Sequence, residues 1–446
     1  MHDYSPGLLR VYIDLQAGDG GKGRLVYLDC LQNNPAAVWR YNGGHNAGHT
    51  IVFEDGTSTA THIIPAGYFF EGCYAIVGKG CVIDPFRLPE EIRSARETGR
   101  DRGNLIIDSL AHVVLPIYVG LDGATDAVNP ETRRSTGRGI GPAYMMKAGR
   151  KGFRVLDLLD ADSRTIRRLN ETISFLEPHI SDTEAFKRMR GETLETVDAV
   201  RAMKGYATIM DPLELRALTS DILKKDRLII AEGAQGAFLD VDDGEYPYTT
   251  SSSCGVAGTY VGTEISHRVP REVVGVFKPY LTRAGKGPVP SLIKDPTAAE
   301  YISKRGVEKG TTTGLPRDIG WIDLSQLGEA VAANNPDVLA LTKLDVLDGL
   351  PAIGICTGYE MRGRRVPYQY SGDRLDEVSP VLEHLLGFNG VSGVRERGSL
   401  PSKAAAFLER LERELHADIP FVGTGFGTDD FIAGGRAKHI FRPNQQ

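Results

Sequence analysis

The segment Gly18-Asp-Gly-Gly-Lys-Gly-Arg24 follows the apolar stretch Leu9-Arg-Val-Tyr-Ile-Asp-Leu15. A buried strand running into a glycine-dense turn lets backbone N–H groups point at an anion. Lys22 adds a mobile point charge suited to phosphate. Asp19 sets a carboxylate in a loop otherwise built for negative ligands, which is useful only if a metal bridges it to phosphate or the carboxylate does proton chemistry. The spacing departs from both the P-loop pattern and the dinucleotide fingerprint Gly-x-Gly-x-x-Gly. The loop therefore points to catalysis on a nucleotide, against the plainer reading of a turn that binds nothing.

Five further clusters carry donors and charges. Arg40-Tyr-Asn-Gly-Gly-His-Asn-Ala-Gly-His-Thr50 brings two histidines, a side chain whose ordinary titration lies near neutrality, among glycines that permit close approach. Arg134-Ser-Thr-Gly-Arg-Gly-Ile-Gly-Pro-Ala-Tyr144 and Thr311-Thr-Thr-Gly-Leu-Pro-Arg317 combine hydroxyls with arginine, as a phosphate clamp or a surface turn would. Glu232-Gly-Ala-Gln-Gly236, followed by Tyr246-Pro-Tyr-Thr-Thr-Ser-Ser-Ser253, puts an amide at a strand end. There it can read a base edge or satisfy its own turn. In Thr342-Lys-Leu-Asp345 the Asp can accept from guanine N1–H and its 2-amino group, or simply be a solvated strand end.

These clusters need elements to hold them. Short apolar runs bounded by Gly, Pro, Asn or Asp recur: Tyr74–Val77, Asn104–Asp108, Arg227–Ala231, Glu272–Phe277 and Val338–Thr342 read as buried parallel strands. Between them lie helix-like stretches. Ser163 to Leu176 is amphipathic with Ser163 as its N-cap, Asp182 to Lys204 is similar, and Lys403 to Leu415 sets Ala404, Phe407, Leu408, Leu411 and Leu415 on one face. The alternation predicts an α/β fold, a large single domain over residues 1–446 with a mostly parallel central sheet and helical insertions.

A chain of 446 residues supports a large core. The net charge of −6 argues against nucleic acid and anionic membrane as partners. No apolar run is long enough to span a bilayer, and the N-terminus lacks signal-peptide character. The cysteines Cys30, Cys73, Cys81, Cys254 and Cys356 are scattered without a Cys-x-x-Cys pair, which suits a reducing cytoplasm.

Asn46-Ala-Gly-His-Thr50, Thr136-Gly-Arg-Gly-Ile-Gly-Pro-Ala-Tyr144, Glu232-Gly-Ala-Gln-Gly236 and Thr342-Lys-Leu-Asp-Val-Leu-Asp348 together resemble the adenylosuccinate synthetase family, in that family's order and from about Val11 to the C-terminal region. The resemblance implies a P-loop-NTPase-like α/β domain and a ligase of purine nucleotide biosynthesis. The enzyme would join L-aspartate to C6 of IMP through a 6-phosphoryl intermediate, with GTP as co-substrate, yielding adenylosuccinate, GDP and phosphate. It implies catalytic roles for Asp19 as base, His49 as acid and Lys22 as phosphate holder, with Gly18, Gly21 and Gly23 in the phosphate loop. Asp19 and the carbonyl of Gly48 would be ligands of Mg2+. Asn46, Thr136, Gln235 and Thr250 match positions that bind the IMP-like nucleotide, and Arg150 matches an arginine given across a homodimer interface to the 5′-phosphate. Thr312, Thr313 and Arg317 match the aspartate loop, and Lys343, Asp345 and Gly425 the guanine site.

The chain also departs from the family pattern. Its first loop reads Ala17-Gly-Asp-Gly-Gly-Lys-Gly23, where the family usually has Trp-Gly-Asp-Glu-Gly-Lys-Gly. Leu315-Pro-Arg-Asp318 stands for Arg-x-Arg-Arg, and Gly423-Thr-Gly-Phe-Gly-Thr-Asp429 lacks the usual Pro after Gly425. Two other readings follow. A 2-aminoadenylosuccinate synthetase-type enzyme would take (d)GMP or a purine-analogue nucleotide, though that relative typically replaces the first-loop aspartate that persists here as Asp19. A non-catalytic nucleotide-binding paralogue would have no need of Asp19 and His49 together.

Overall fold

In the computed structural model, residues 8–128, 135–308 and 317–442 are described. Ten strands make the central sheet: β1 (Leu9–Asp14), β2 (Ala37–Arg40), β3 (Tyr74–Val77), β4 (Leu105–Asp108), β5 (Thr208–Met210), β6 (Ile229–Glu232), β7 (Arg271–Phe277), β8 (Val338–Leu341), β9 (Phe421–Gly423) and β10 (Phe431–Ala433). Their order is β10-β9-β8-β7-β1-β6-β2-β3-β4-β5. Every neighbouring pair is parallel except β9–β10. The result is a single large α/β domain.

The sheet is covered on both faces, so its inner strands are apolar on both sides. Leu9, Val11 and Ile13 of β1 join one core cluster with Trp39, Ile106 and Leu339, while Tyr12 joins the other with Val38, Val77 and Ile107. Arg10 is buried within β1, and its charge is matched by Asp29 at 2.7 Å and Glu272 at 2.8 Å. Those contacts fasten the helix α1 (Lys22–Asn33) and strand β7 to β1. A buried cation with two hydrogen-bonded carboxylates is tolerated where an unpaired one would not be.

The helices follow their patterns. α2 (Ser163–Leu176) begins one residue earlier than expected in its capping, because the Asp162 side chain, not Ser163, accepts the Arg164 and Thr165 amides. α3 (Thr183–Ala202) is capped by Asp182, and α4 (Ser402–Leu415) buries all five residues of its apolar face. A second, five-stranded sheet starts at Tyr280–Arg283 and Asp318–Asp323. Among the described residues no helix is long and apolar enough to cross a membrane, and all five cysteines are free and buried.

Candidate active site

The sheet order turns at β1, which lies between β6 and β7, and open parallel sheets take ligands beyond the C-terminal ends of their strands at such a turn. A cavity of about 880 Å3 lies there. Its lining includes Gly18, Asp19, Gly21, Lys22, Gly23, Asn46, Gly48, His49, Thr136, Gln235, Thr250, Arg317, Lys343, Asp345 and Gly425. Arg150 is exposed after the helix Ile140–Ala148 and is not part of that lining. Thr312 and Thr313 lie outside the described residues.

The loop after β1 is organised from below. Asp14, the last residue of β1, is buried; its Oδ1 accepts the amides of Gln16 (2.9 Å) and Gly18 (3.2 Å), and its Oδ2 accepts that of Gly20 (2.7 Å). Lys22 Nζ lies 3.4 Å from Asp14 Oδ2 and donates to the carbonyl of Gln235 at 2.5 Å. Lys22 also opens α1, whose first-turn amides have no intrahelical partner and carry the positive end of the helix dipole. Asp19, Gln235 and Lys343 all adopt left-handed backbone (φ 60°, 54° and 56°), a conformation that is rare outside glycine and concentrates at functional sites.

His49 stands on one side of the loop, packed so closely that a Cβ on Gly23 would come within 2.8 Å of its own Cβ. Its Nδ1 donates to Glu232, which also receives Arg40 Nη1 at 2.9 Å. That bond fixes the tautomer and leaves Nε2 as the ring nitrogen available to a ligand. Burial, reinforced by the Arg40 charge, pushes His49 down to about 4 against the pull of Glu232. Burial would raise Glu232, but His49 and Arg40 hold it down at about 2. In the register of β2 against β6, Arg40 and Glu232 are direct neighbours, so the sheet itself builds this pair.

Opposite lies a cluster around Glu308. This buried carboxylate accepts from Tyr280 Oη (2.7 Å), Lys343 Nζ (2.7 Å) and Arg317 Nη1, with Lys278 Nζ at 3.4 Å. Burial would raise its carboxyl, yet Lys278, Lys343 and Arg317 hold it well below the usual range. Burial in turn lowers Lys278 to about 8. Arg317 also reaches Asp19, Nη2 to Oδ2 at 3.0 Å, while the Asp19 side chain stays 28% exposed.

At the far end, burial raises Asp345 above its ordinary value, and Arg305 Nη2 donates to the Asp345 carbonyl at 2.8 Å. Arg24 Nη1 holds the Gly425 carbonyl at 2.6 Å, and the exposed ring of Phe426 follows on the cavity wall. At the other end, Gln235 Nε2 donates to Asn46 Oδ1 at 3.4 Å. Gln235 Oε1 is buried without a partner among the described residues, an acceptor placed for a ligand donor.

A Mg2+ ion fits this donor set. Asp19 offers a partly exposed carboxylate, and Gly48 lines the same cavity and has a backbone carbonyl to offer, both of the hard oxygen type that Mg2+ takes alongside phosphate and water. Sequence reading missed Asp14, Lys278 and Glu308. The available signal for the first two was a charged residue directly ending or following an apolar strand. Glu308 gave little signal beyond standing just before the Thr311–Arg317 loop.

A family model described as adenylosuccinate synthetase matches residues 11–432. The adenylosuccinate synthetase of Chlorobium phaeovibrioides is 38% identical over 428 residues, covering 95% of this chain and 96% of that protein. The structure of the fully ligated Plasmodium falciparum adenylosuccinate synthetase superposes with TM-score 0.84 at 29% identity, covering 96% of this chain and 100% of that one. The cyanophage S-2L succinoaminodeoxyadenylate synthetase, solved with dGMP and dATP, superposes with TM-score 0.60 at 24% identity over 98% of this chain and 99% of that one, a likeness of fold alone.

Proposed function

The chain belongs to the adenylosuccinate synthetase family, and from that premise we propose that it is a GTP-dependent ligase joining L-aspartate to C6 of IMP. The supporting observation is that Asp19, Lys22 and His49 border the same cavity as Lys343 and Asp345. A base, a phosphate holder and an acid thus share one space with a base-reading carboxylate.

The difficulty is that the 6-oxo group of IMP is a poor leaving group. Asp19 takes the N1 proton, and the electrons move to O6, which attacks the γ-phosphorus of GTP while GDP leaves. The aspartate amine then adds at C6 and loses a proton, and O6 departs as phosphate. Lys22 and the first-turn amides of α1 hold the transferring phosphoryl group, and His49, whose Nδ1–H is engaged by Glu232, takes up a solvent proton at Nε2 as that negative charge arrives and donates to it. Magnesium, held by Asp19 and Gly48, would supply charge neutralisation for the phosphates.

Asn46, Thr136, Gln235 and Thr250 bind the nucleotide, with Gln235 Oε1 as the unsatisfied acceptor. Arg317, Thr312 and Thr313 receive aspartate, and Lys343, Asp345 and Gly425 take the guanine. Gly18, Gly21 and Gly23 line the phosphate passage. Arg150, exposed and outside its own chain's cavity, serves the partner's site in a homodimer. Residues 1–446 act as one functional unit in the cytoplasm.

A substrate matrix tests the reading: IMP, dIMP, GMP and dGMP, each with aspartate under GTP or ATP, followed by phosphate release and product mass. Phosphate and the adenylosuccinate mass from IMP, aspartate and GTP are expected. Turnover confined to dGMP would move the chain to the 2-amino substrate, and silence across the matrix would leave a binding protein.

A further inference from the structure

Position 20 is where a glutamate would stand by family resemblance, and the space its Cβ needs is already filled. A Cβ built on Gly20 lies 2.4 Å from Asp14 Oδ2 and 3.1 Å from Asp14 Cγ, below any real contact for the first of these. The backbone of Gly20 is not in the left-handed region, so what opposes a side chain there is Asp14, whose carboxylate would have to leave the amides it accepts from.

Asp14 is no passive obstacle. Its buried carboxylate gathers the amides of Gln16, Gly18 and Gly20 and stands 3.4 Å from Lys22 Nζ. A buried carboxylate survives through such partners, and here every partner belongs to the phosphate loop or the strand end feeding it. The carboxylate therefore decides which way the loop amides at 18 and 20 face. With the Gln235 carbonyl, it also fixes where the lysine head rests.

We propose that Asp14 is the positioning residue of the phosphate loop, a strand-borne carboxylate acting through Lys22, and that Asp14 and Gly20 function only as a pair. This rests on the ligase reading for its kinetic consequences, but the pairing itself is a property of the loop.

The test is a cycle of G20A, D14A and the double variant, with D14N to separate shape from charge. G20A alone lowers kcat and weakens Mg-GTP binding by about tenfold or more, because the added methyl displaces the carboxylate. In the D14A background the same methyl costs less than about twofold. D14N fills the same volume and keeps the melting temperature within a few degrees. It still raises the KM for GTP about tenfold while leaving the KM for aspartate within about twofold, because an amide NH2 cannot accept from Gly20 or pair with Lys22.

Equal cost of G20A with and without Asp14, or a D14N enzyme with unchanged kcat and GTP KM, overturns the proposal. The same cycle read in melting temperature needs no substrate. Additive effects there refute the pairing even if the protein turns over none of the expected nucleotides, so failure of the ligase reading stays distinguishable.

Discussion

Asp19 and Arg317 form an ion pair across the mouth of the cavity, Oδ2 to Nη2 at 3.0 Å, with Glu308 holding the other arm of the same guanidinium. In the proposed reaction both residues are needed for other partners: Asp19 for the N1 proton, Arg317 for the carboxylate of the amino acid. Contacts that either residue makes to substrate therefore compete with this ion pair.

D19A tests the first half. Without the carboxylate the N1 proton has no acceptor and O6 stays a weak nucleophile, so kcat should drop by at least about 10³-fold. IMP binding, measured by calorimetry, should weaken far less, since Asn46, Gln235 and Thr250 are untouched. Residual turnover within about tenfold of wild type would remove Asp19 from the role of base.

R317A tests the second half. Losing one partner of a desolvated charge pair costs about 2–5 kcal/mol, which predicts a rise in aspartate KM of about 30-fold or more. R317K keeps the charge but loses the two-pronged geometry and should recover only part of it. The fold should survive both changes, because Glu308 keeps Lys278, Lys343 and Tyr280. Equal losses in the KM for GTP would place Arg317 elsewhere.

Much of this site was legible in the sequence because its parts sit at strand ends, where apolar runs stop at glycine or charge. Gln235 follows β6 and Lys343 follows β8, and such punctuation needs no knowledge of the third dimension. The apolar face of Lys403–Leu415 was equally plain, since its period alone orients it. What stayed hidden depends on pairings distant in sequence. Arg10 meets Glu272 across β1 and β7, and Arg317 meets Asp19 only once the two sheets are assembled. Gly20 was unreadable for the same kind of reason, because its meaning lies in the Asp14 side chain folded back beneath it.

His49 makes the stability of the fold depend on pH. Burial lowers its folded value to about 4 from an ordinary 6.5, so between those limits the unfolded chain binds a proton that the folded chain does not. Stability from this group is complete above pH 6.5 and is lost as pH falls through the window toward 4, by up to about 3 kcal/mol. The lowered His45 and His112 are common to wild type and H49Q and cancel in the comparison. The stability of wild type relative to H49Q should therefore decline between pH 7 and pH 4 in denaturant titrations. A flat difference would mean that His49 is not held neutral in the fold. At neutral pH the same variant should lose about 10²–10⁴-fold in kcat, since no imidazole is left to take up a proton at Nε2 and donate it to the transferring phosphoryl group.

Arg150 gives the sharpest test of assembly. It is exposed at the end of the Ile140–Ala148 helix, with left-handed backbone (φ 59°), and borders nothing in its own chain's cavity. If it serves the partner's 5′-phosphate, each active site of a homodimer needs Asp19 from one chain and Arg150 from the other. R150A and D19A are then each inactive for a different reason, and mixing them has a fixed consequence. In a mixed dimer one site combines both defects, while the other combines an intact Asp19 with an intact Arg150. Random exchange at equal amounts makes half of the dimers mixed, so about one quarter of wild-type activity should return. An arginine acting within its own chain would return none, because both kinds of site in the mixed dimer would still carry one defect. The exchange itself is checked by mass-tagging one variant, so absent activity in demonstrated mixed dimers excludes the shared site.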